Sequence, residues 1–202
     1  MLTKTPTIKS IKSTSGFTLI EILISIVVFS VGLIGIAKMQ IVSKQANYDA
    51  VQRVTAATLA SKVIDRMRAN TTELATYVSA NGVKELGQGT VSSEPSPTCV
   101  SGSTCTTTQL ATHDLWSFEQ AVDGVAEQNS DGDSVGGLSL PTLCISGSNA
   151  GISGVYTVAI AWRGKTALSN PTANTCGEAS GDYGDNNEYR RLLVMQTFIA
   201  VQ

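Results

Sequence analysis

From Phe17 to Ala37 the chain reads FTLIEILISIVVFSVGLIGIA, in which fifteen of 21 residues are hydrophobic and Glu21 is the sole charge. A helix of that length rises roughly 30 Å, the thickness of a bilayer's hydrocarbon core. The helical pattern then changes character without stopping. Met39, Val42, Ala46, Ala50, Val54, Ala57, Ala60, Ile64 and Met67 recur at steps of three or four, while Lys38, Lys44, Gln45, Gln52, Arg53 and Lys62 fall largely elsewhere. One helix is therefore predicted from about Phe17 to about Ala69, apolar all round in its first half and amphipathic in its second, with Asn70-Thr71-Thr72 as its terminator. Gly32 and Gly35 mark a close helix-packing surface, a soft point, or the ordinary tolerance of membrane helices for Gly.

After the helix the pattern breaks up. Residues Thr71 to Thr112 are rich in Ser, Thr, Gly and Pro, with turn signals at Asn81-Gly82 and Glu94-Pro95-Ser96-Pro97, and read as a variable connection. His113 to Ala126 is mildly amphipathic and suggests a second helix; Asn129 to Gly137 reads as a loop. Three strand candidates follow: Leu140 to Ser146, Val155 to Trp162 with the clearest period of two, and Arg191 to Val201. A long polar loop, Arg163 to Tyr189, separates the last two. Strands joined by loops without helices favour an antiparallel sheet, so the fold class is α+β, one long helix against a small sheet.

Charge adds direction to this pattern. Lys4, Lys9 and Lys12 precede the apolar run with no acidic residue among them, so the positive-inside rule keeps the N-terminus cytoplasmic and places everything after Lys38 on the other side of the membrane. A secretory signal peptide fits poorly, because the apolar run is too long and no small-x-small site follows it. The whole chain has a charged fraction of only 15% and no basic cluster beyond the N-terminus, which argues against nucleic-acid binding. An ordinary single-pass anchor explains all of this except Glu21. A carboxylate costs roughly 2.5 to 3.5 kcal/mol at the centre of a membrane helix. Near the start of the run it gains from an interfacial position and the helix N-terminus. A sharper reading starts from Gly16: a cut there would give Phe17 a positive amine one turn from Glu21, and neighbouring helices could pair amine with carboxylate.

Gly16-Phe17-Thr18-Leu19-Ile20-Glu21, behind a short basic leader and ahead of an unbroken apolar helix, resembles the class III signal of type IV pilins and their relatives. The resemblance covers roughly residues 10 to 45. It implies cleavage after Gly16 and N-methylation of Phe17 by a prepilin peptidase, with Glu21 as the assembly glutamate. The sequence Arg66-Met67-Arg68-Ala69-Asn70 and the later Asp114-Leu115-Trp116 resemble, more loosely, the PilV family of type IV pilus modification proteins, which are minor pilins. The usual Leu-Pro-Gly-Gly turn of that family is missing, its place taken by NSDGDSVGG.

The resemblance implies a leader at 1–16, a transmembrane half-helix at 17–37, an amphipathic half at 38–70 and a globular head at 71–202. It also implies a minor pilin, not an enzyme, supporting pilus biogenesis and twitching motility or adhesion. The chain would pass from the inner membrane, head in the periplasm, to the pilus. Its partners would be prepilin peptidase, other minor and major pilins, the assembly platform and the bilayer, without cofactor or nucleic acid. A minor pseudopilin of type II secretion shares the same signal; a membrane-anchored periplasmic binding protein or enzyme is the reading from another class. Without the leader, the 186 residues left carry 11 basic and 16 acidic side chains.

Cys99, Cys105, Cys144 and Cys176 allow three pairings. An export-side domain in an oxidising compartment favours disulfides, with Cys99 to Cys105 and Cys144 to Cys176 preferred; a zinc site lacks any CxxC pair. Other chemistry is thin. His113 beside Asp114 is no catalytic dyad without a nucleophile motif, and a surface or helix-start role is expected. The carboxylates of Asp131-Gly132-Asp133 and Asp182 to Glu188 lack the EF-hand register and read as solvated loops. Trp116 and Trp162 read as core or sheet-packing residues, and no metal site is expected.

Overall fold

The computed structural model describes residues 16–100, 104–132, 134–148 and 150–201. The expected leader up to residue 15 and Asp133 of the carboxylate-rich loop lie outside the described residues. The chain divides into two units, Met1–Lys44 and Gln45–Gln202. Helix α1, Leu19–Ala69, runs through both.

In the first unit every described side chain is exposed, including Phe29, Ile34 and Met39. The best 18-residue window of α1 has a mean hydropathy of 2.7. Ser25 and Ser30 turn their hydroxyls back onto the carbonyls of Glu21 and Val27, so neither presents an unpaired donor along the apolar stretch.

The second unit begins with the amphipathic part of α1. After Ala69 come a 3-10 turn at Thr71–Glu73 and one turn of helix, α2, at Leu74–Tyr77. Then follow β1 Val83–Leu86, α3 Thr107–Asp123, β2 Thr142–Ser146, β3 Gly154–Arg163 and β4 Arg190–Ile199. The strands form one antiparallel sheet in the order β1-β2-β3-β4. The expected long helix against a small antiparallel sheet is therefore present, with a fourth strand added.

Alternation assigns the sheet's two faces. Leu143, Ile145, Val158, Ile160 and Trp162 join α1 and α3 in the larger core, with Leu193 and Met195 packed against it. Their sequence neighbours Cys144, Ala159 and Ala161 face the other way, onto Cys176 and Tyr183 of the β3–β4 connection, with Leu192 and Val194 alongside. Burial of β3 on both faces explains its run of apolar residues.

Several expectations need correction. β1 was not anticipated: the four residues VKEL carry two charges, and their strand state depends on pairing with β2, where Glu85 faces Cys144 and Leu86 faces Leu143. The second helix starts at Thr107, not His113, because Thr106 and Gln109 form a reciprocal capping box. It ends before Gly124, which takes a left-handed φ of 68° and lies so close to Gly136 that a Cβ would overlap it. β2 begins at Thr142 because Leu140 has a φ of 46° and Pro141 follows it.

The buried face of α1 is also rotated from the expected one. The head covers Gln52, Ala56, Leu59, Ala60, Val63, Ile64 and Met67. Of the predicted stripe, only Ala60, Ile64 and Met67 are buried, Ala57 is half-buried, and Ala46, Ala50 and Val54 are exposed. Steps of three and of four both hold a helical face, and N-terminal to Ala60 the two tracks diverge. The polar Gln52 conceals the correct track in the sequence. Its side chain donates to the Gly137 carbonyl and accepts from the Ser139 amide, 3.3 and 3.1 Å away.

Candidate functional site

Gly16, Phe17 and Thr18 precede the first turn of α1, and the Phe17 side chain is 82% exposed. Glu21 lies in that first turn. Its Oε2 faces the Thr18 amide at 3.5 Å, while the Thr18 hydroxyl faces the Glu21 amide at 3.4 Å. Both contacts are long, but they have the arrangement of a capping box, S/T-x-x-E. In the intact chain Glu21 thus sits against the positive end of the helix, where a carboxylate is favoured. Cleavage after Gly16 would turn the Phe17 nitrogen into an ammonium group within one turn of this carboxylate. The sequence signal for this capping role, Thr18 three residues before Glu21, was present but was absorbed into the processing motif.

The head is held by two disulfides and two buried polar networks. Cys99 is bonded to Cys105 and Cys144 to Cys176, with Cα separations of 5.9 and 5.8 Å. The second bridge ties β2 to the long β3–β4 connection. Beneath that connection Arg190 is 1% exposed. It donates to Asn170 Oδ1 at 2.9 Å, to the carbonyls of Asn174 and Cys176 at 3.0 and 2.7 Å, and to the Pro171 carbonyl. Among the described residues no carboxylate lies within 4 Å of it. Sequence reasoning missed Arg190, since an Arg beside Arg191 at a strand start looks like surface charge.

His113 and Asp114 are both buried in the middle of α3, against the expected surface or helix-start role. Asp114 receives Arg66 Nη1 at 2.6 Å and the Tyr77 hydroxyl at 2.6 Å, joining α1, α2 and α3. His113 packs against the Trp116 ring, centroids 5.4 Å apart, and Trp162 is buried in the sheet core. Among the described residues no three His, Cys, Asp or Glu side chains are grouped to hold a metal. Asp182 and Glu188 instead accept bonds from Gln88 Nε2 and the Asn186 amide.

Burial, followed by the hydrogen bond and charge of Asp114, raises the pKa of Tyr77 well above the ordinary tyrosine value. The folded chain therefore keeps this proton where the unfolded chain loses it. The stability tied to the proton is complete below about pH 10 and is lost as pH rises beyond it. Tyr77→Phe should cost about 1 kcal/mol at neutral pH and make the alkaline decline in melting temperature shallower. An unchanged slope would contradict this account.

A long N-terminal helix, apolar then amphipathic, packed on a four-stranded antiparallel sheet is the type IV pilin fold, and it defines a non-enzymatic structural class. Residues 38–116 match the family described as type IV pilin Tt1218, and residues 11–37 match the prokaryotic N-terminal methylation motif. The chain is a type IV pilin-like protein with an N-terminal methylation motif, and that motif implies processing by a prepilin peptidase. No curated protein and no solved structure matches it significantly.

Proposed function

We propose that the chain is a PilV-like minor pilin that takes part in assembling or initiating type IV pili. It is made with residues 1–16 as a cytoplasmic leader, held in the inner membrane by residues 17–37 with the head at 71–202 in the periplasm, and cut after Gly16. N-methylated Phe17 then begins the mature subunit. The observation that carries this reading is the methylation-motif match over residues 11–37, on a helix whose one charge before Lys38 is Glu21. RMRAN and Asp114-Leu115-Trp116 support the narrower PilV-like assignment.

The work of such a subunit is a change of partners. Its apolar half-helix leaves lipid for neighbouring pilin helices, and because lipid tails are as apolar as the helices, this exchange gains little from hydrophobic burial. Packing and the pairing of Glu21 with a Phe17 amine supply the difference. Other pilins and the membrane assembly platform are the partners this requires.

Gly16 is the residue on which processing depends. Among the described residues no atom lies within 4 Å of the place a Cβ would take, so a larger residue there leaves the described fold intact. Gly16→Leu should accumulate uncut precursor on a gel of whole membranes. Full conversion to the shorter form would refute the cleavage site.

A further inference from the structure

The amphipathic part of α1 carries two apolar tracks, and the chain's own head covers one. The other comprises Ala46, Ala50, Val51 and Val54, with Val51 62% and Val54 67% exposed. Arg53 and Lys62 lie exposed along its sides, and among the described residues neither has an acidic partner within 4 Å. Charge is divided along the chain in the same sense. Residues 38–69 hold six basic and two acidic side chains, whereas residues 70–202 hold five basic and thirteen acidic. In the β3–β4 connection Glu178 and Asp185 are exposed, and Asp182 and Glu188 are half-buried.

We propose that the outward track of α1 docks the acidic 177–188 segment of a second copy of this chain. The inference rests on the filament-subunit reading and deepens it by naming the surfaces in contact. Val51 and Val54 supply apolar contact area, and Arg53 and Lys62 select a carboxylate-bearing partner and fix its register. The helix face and the acidic segment are different surfaces, so the contact is heterologous.

The test uses the full-length chain in its native membranes, with Val54 replaced by photoreactive benzoylphenylalanine and two differently tagged copies co-expressed. Irradiation should give an adduct containing both tags, with the cross-linked peptide inside 177–188. Arg53→Glu with Lys62→Glu should reduce that adduct roughly tenfold or more, because like charges now face each other. Glu178→Lys with Asp185→Lys in the other copy should restore it. Adducts confined to lipid, to other proteins or to a single chain would overturn the contact, as would an adduct indifferent to these reversals. The N-terminus is sequenced in the same preparation. Methylated Phe17 without the adduct refutes this contact alone; an adduct from chains still beginning at Met1 upholds the contact and refutes the filament reading.

Discussion

Glu21→Ala should leave the protein inserted, cut and methylated, yet almost absent from surface filaments. Removing one partner of an ion pair held in an apolar setting costs about 3 to 5 kcal/mol, because the remaining charge is left uncompensated. Even 3 kcal/mol corresponds to roughly a hundredfold in an assembly equilibrium. Capping offers a competing explanation, since Glu21 and Thr18 form a capping-box arrangement, and loss of a cap costs about 1 kcal/mol. Glu21→Gln separates the two effects: glutamine serves in a capping box but carries no charge. If charge pairing governs assembly, the Gln variant fails like the Ala variant, while Thr18→Ala, which loses only the cap, assembles nearly normally. Filament counts with membrane fractionation read this out. Normal piliation in Glu21→Gln would refute the ion-pair role.

Arg190→Met is the substitution expected to damage the head most. The guanidinium satisfies three backbone carbonyls and the Asn170 side chain in a buried setting, and methionine leaves those acceptors without donors. A loss of about 3 to 5 kcal/mol is expected. The damage should concentrate in residues 164–189, where the backbone follows the arginine, while the Cys144–Cys176 bridge still limits how far the segment strays. Limited proteolysis of the full-length protein should therefore show new cleavage within 164–189 before any elsewhere. Equal resistance of variant and native protein would show that Arg190 is not the organising residue. Arg190→Lys should be intermediate, because an ammonium group cannot reproduce the fork of donors.

What was legible in the sequence followed from strong periodicity. The 51-residue α1 was visible because no Pro interrupts a long helical pattern, and β3 because alternation and β-branched residues coincide in VYTVAIAW. β1 was not, because VKEL has no strand signal of its own and takes its state from the β2 partner. The buried side of α1 was misjudged where a polar residue, Gln52, does the packing through hydrogen bonds that only the folded chain supplies. For the same reason Asp114 was assigned a surface or helix-start role and Arg190 drew no notice: their partners lie 14 to 48 residues away in sequence. The processing motif was legible because a peptidase reads it as a local string, Gly16-Phe17 followed by Glu21, and needs no tertiary structure to bring it together.

N-terminal mass spectrometry of the protein purified from membranes and from sheared filaments tests the central claim most directly. The account predicts a chain beginning at N-methylated Phe17 in both fractions. A chain that keeps Met1 and the leader, or one that begins at an unmethylated residue beyond Phe17, would contradict it.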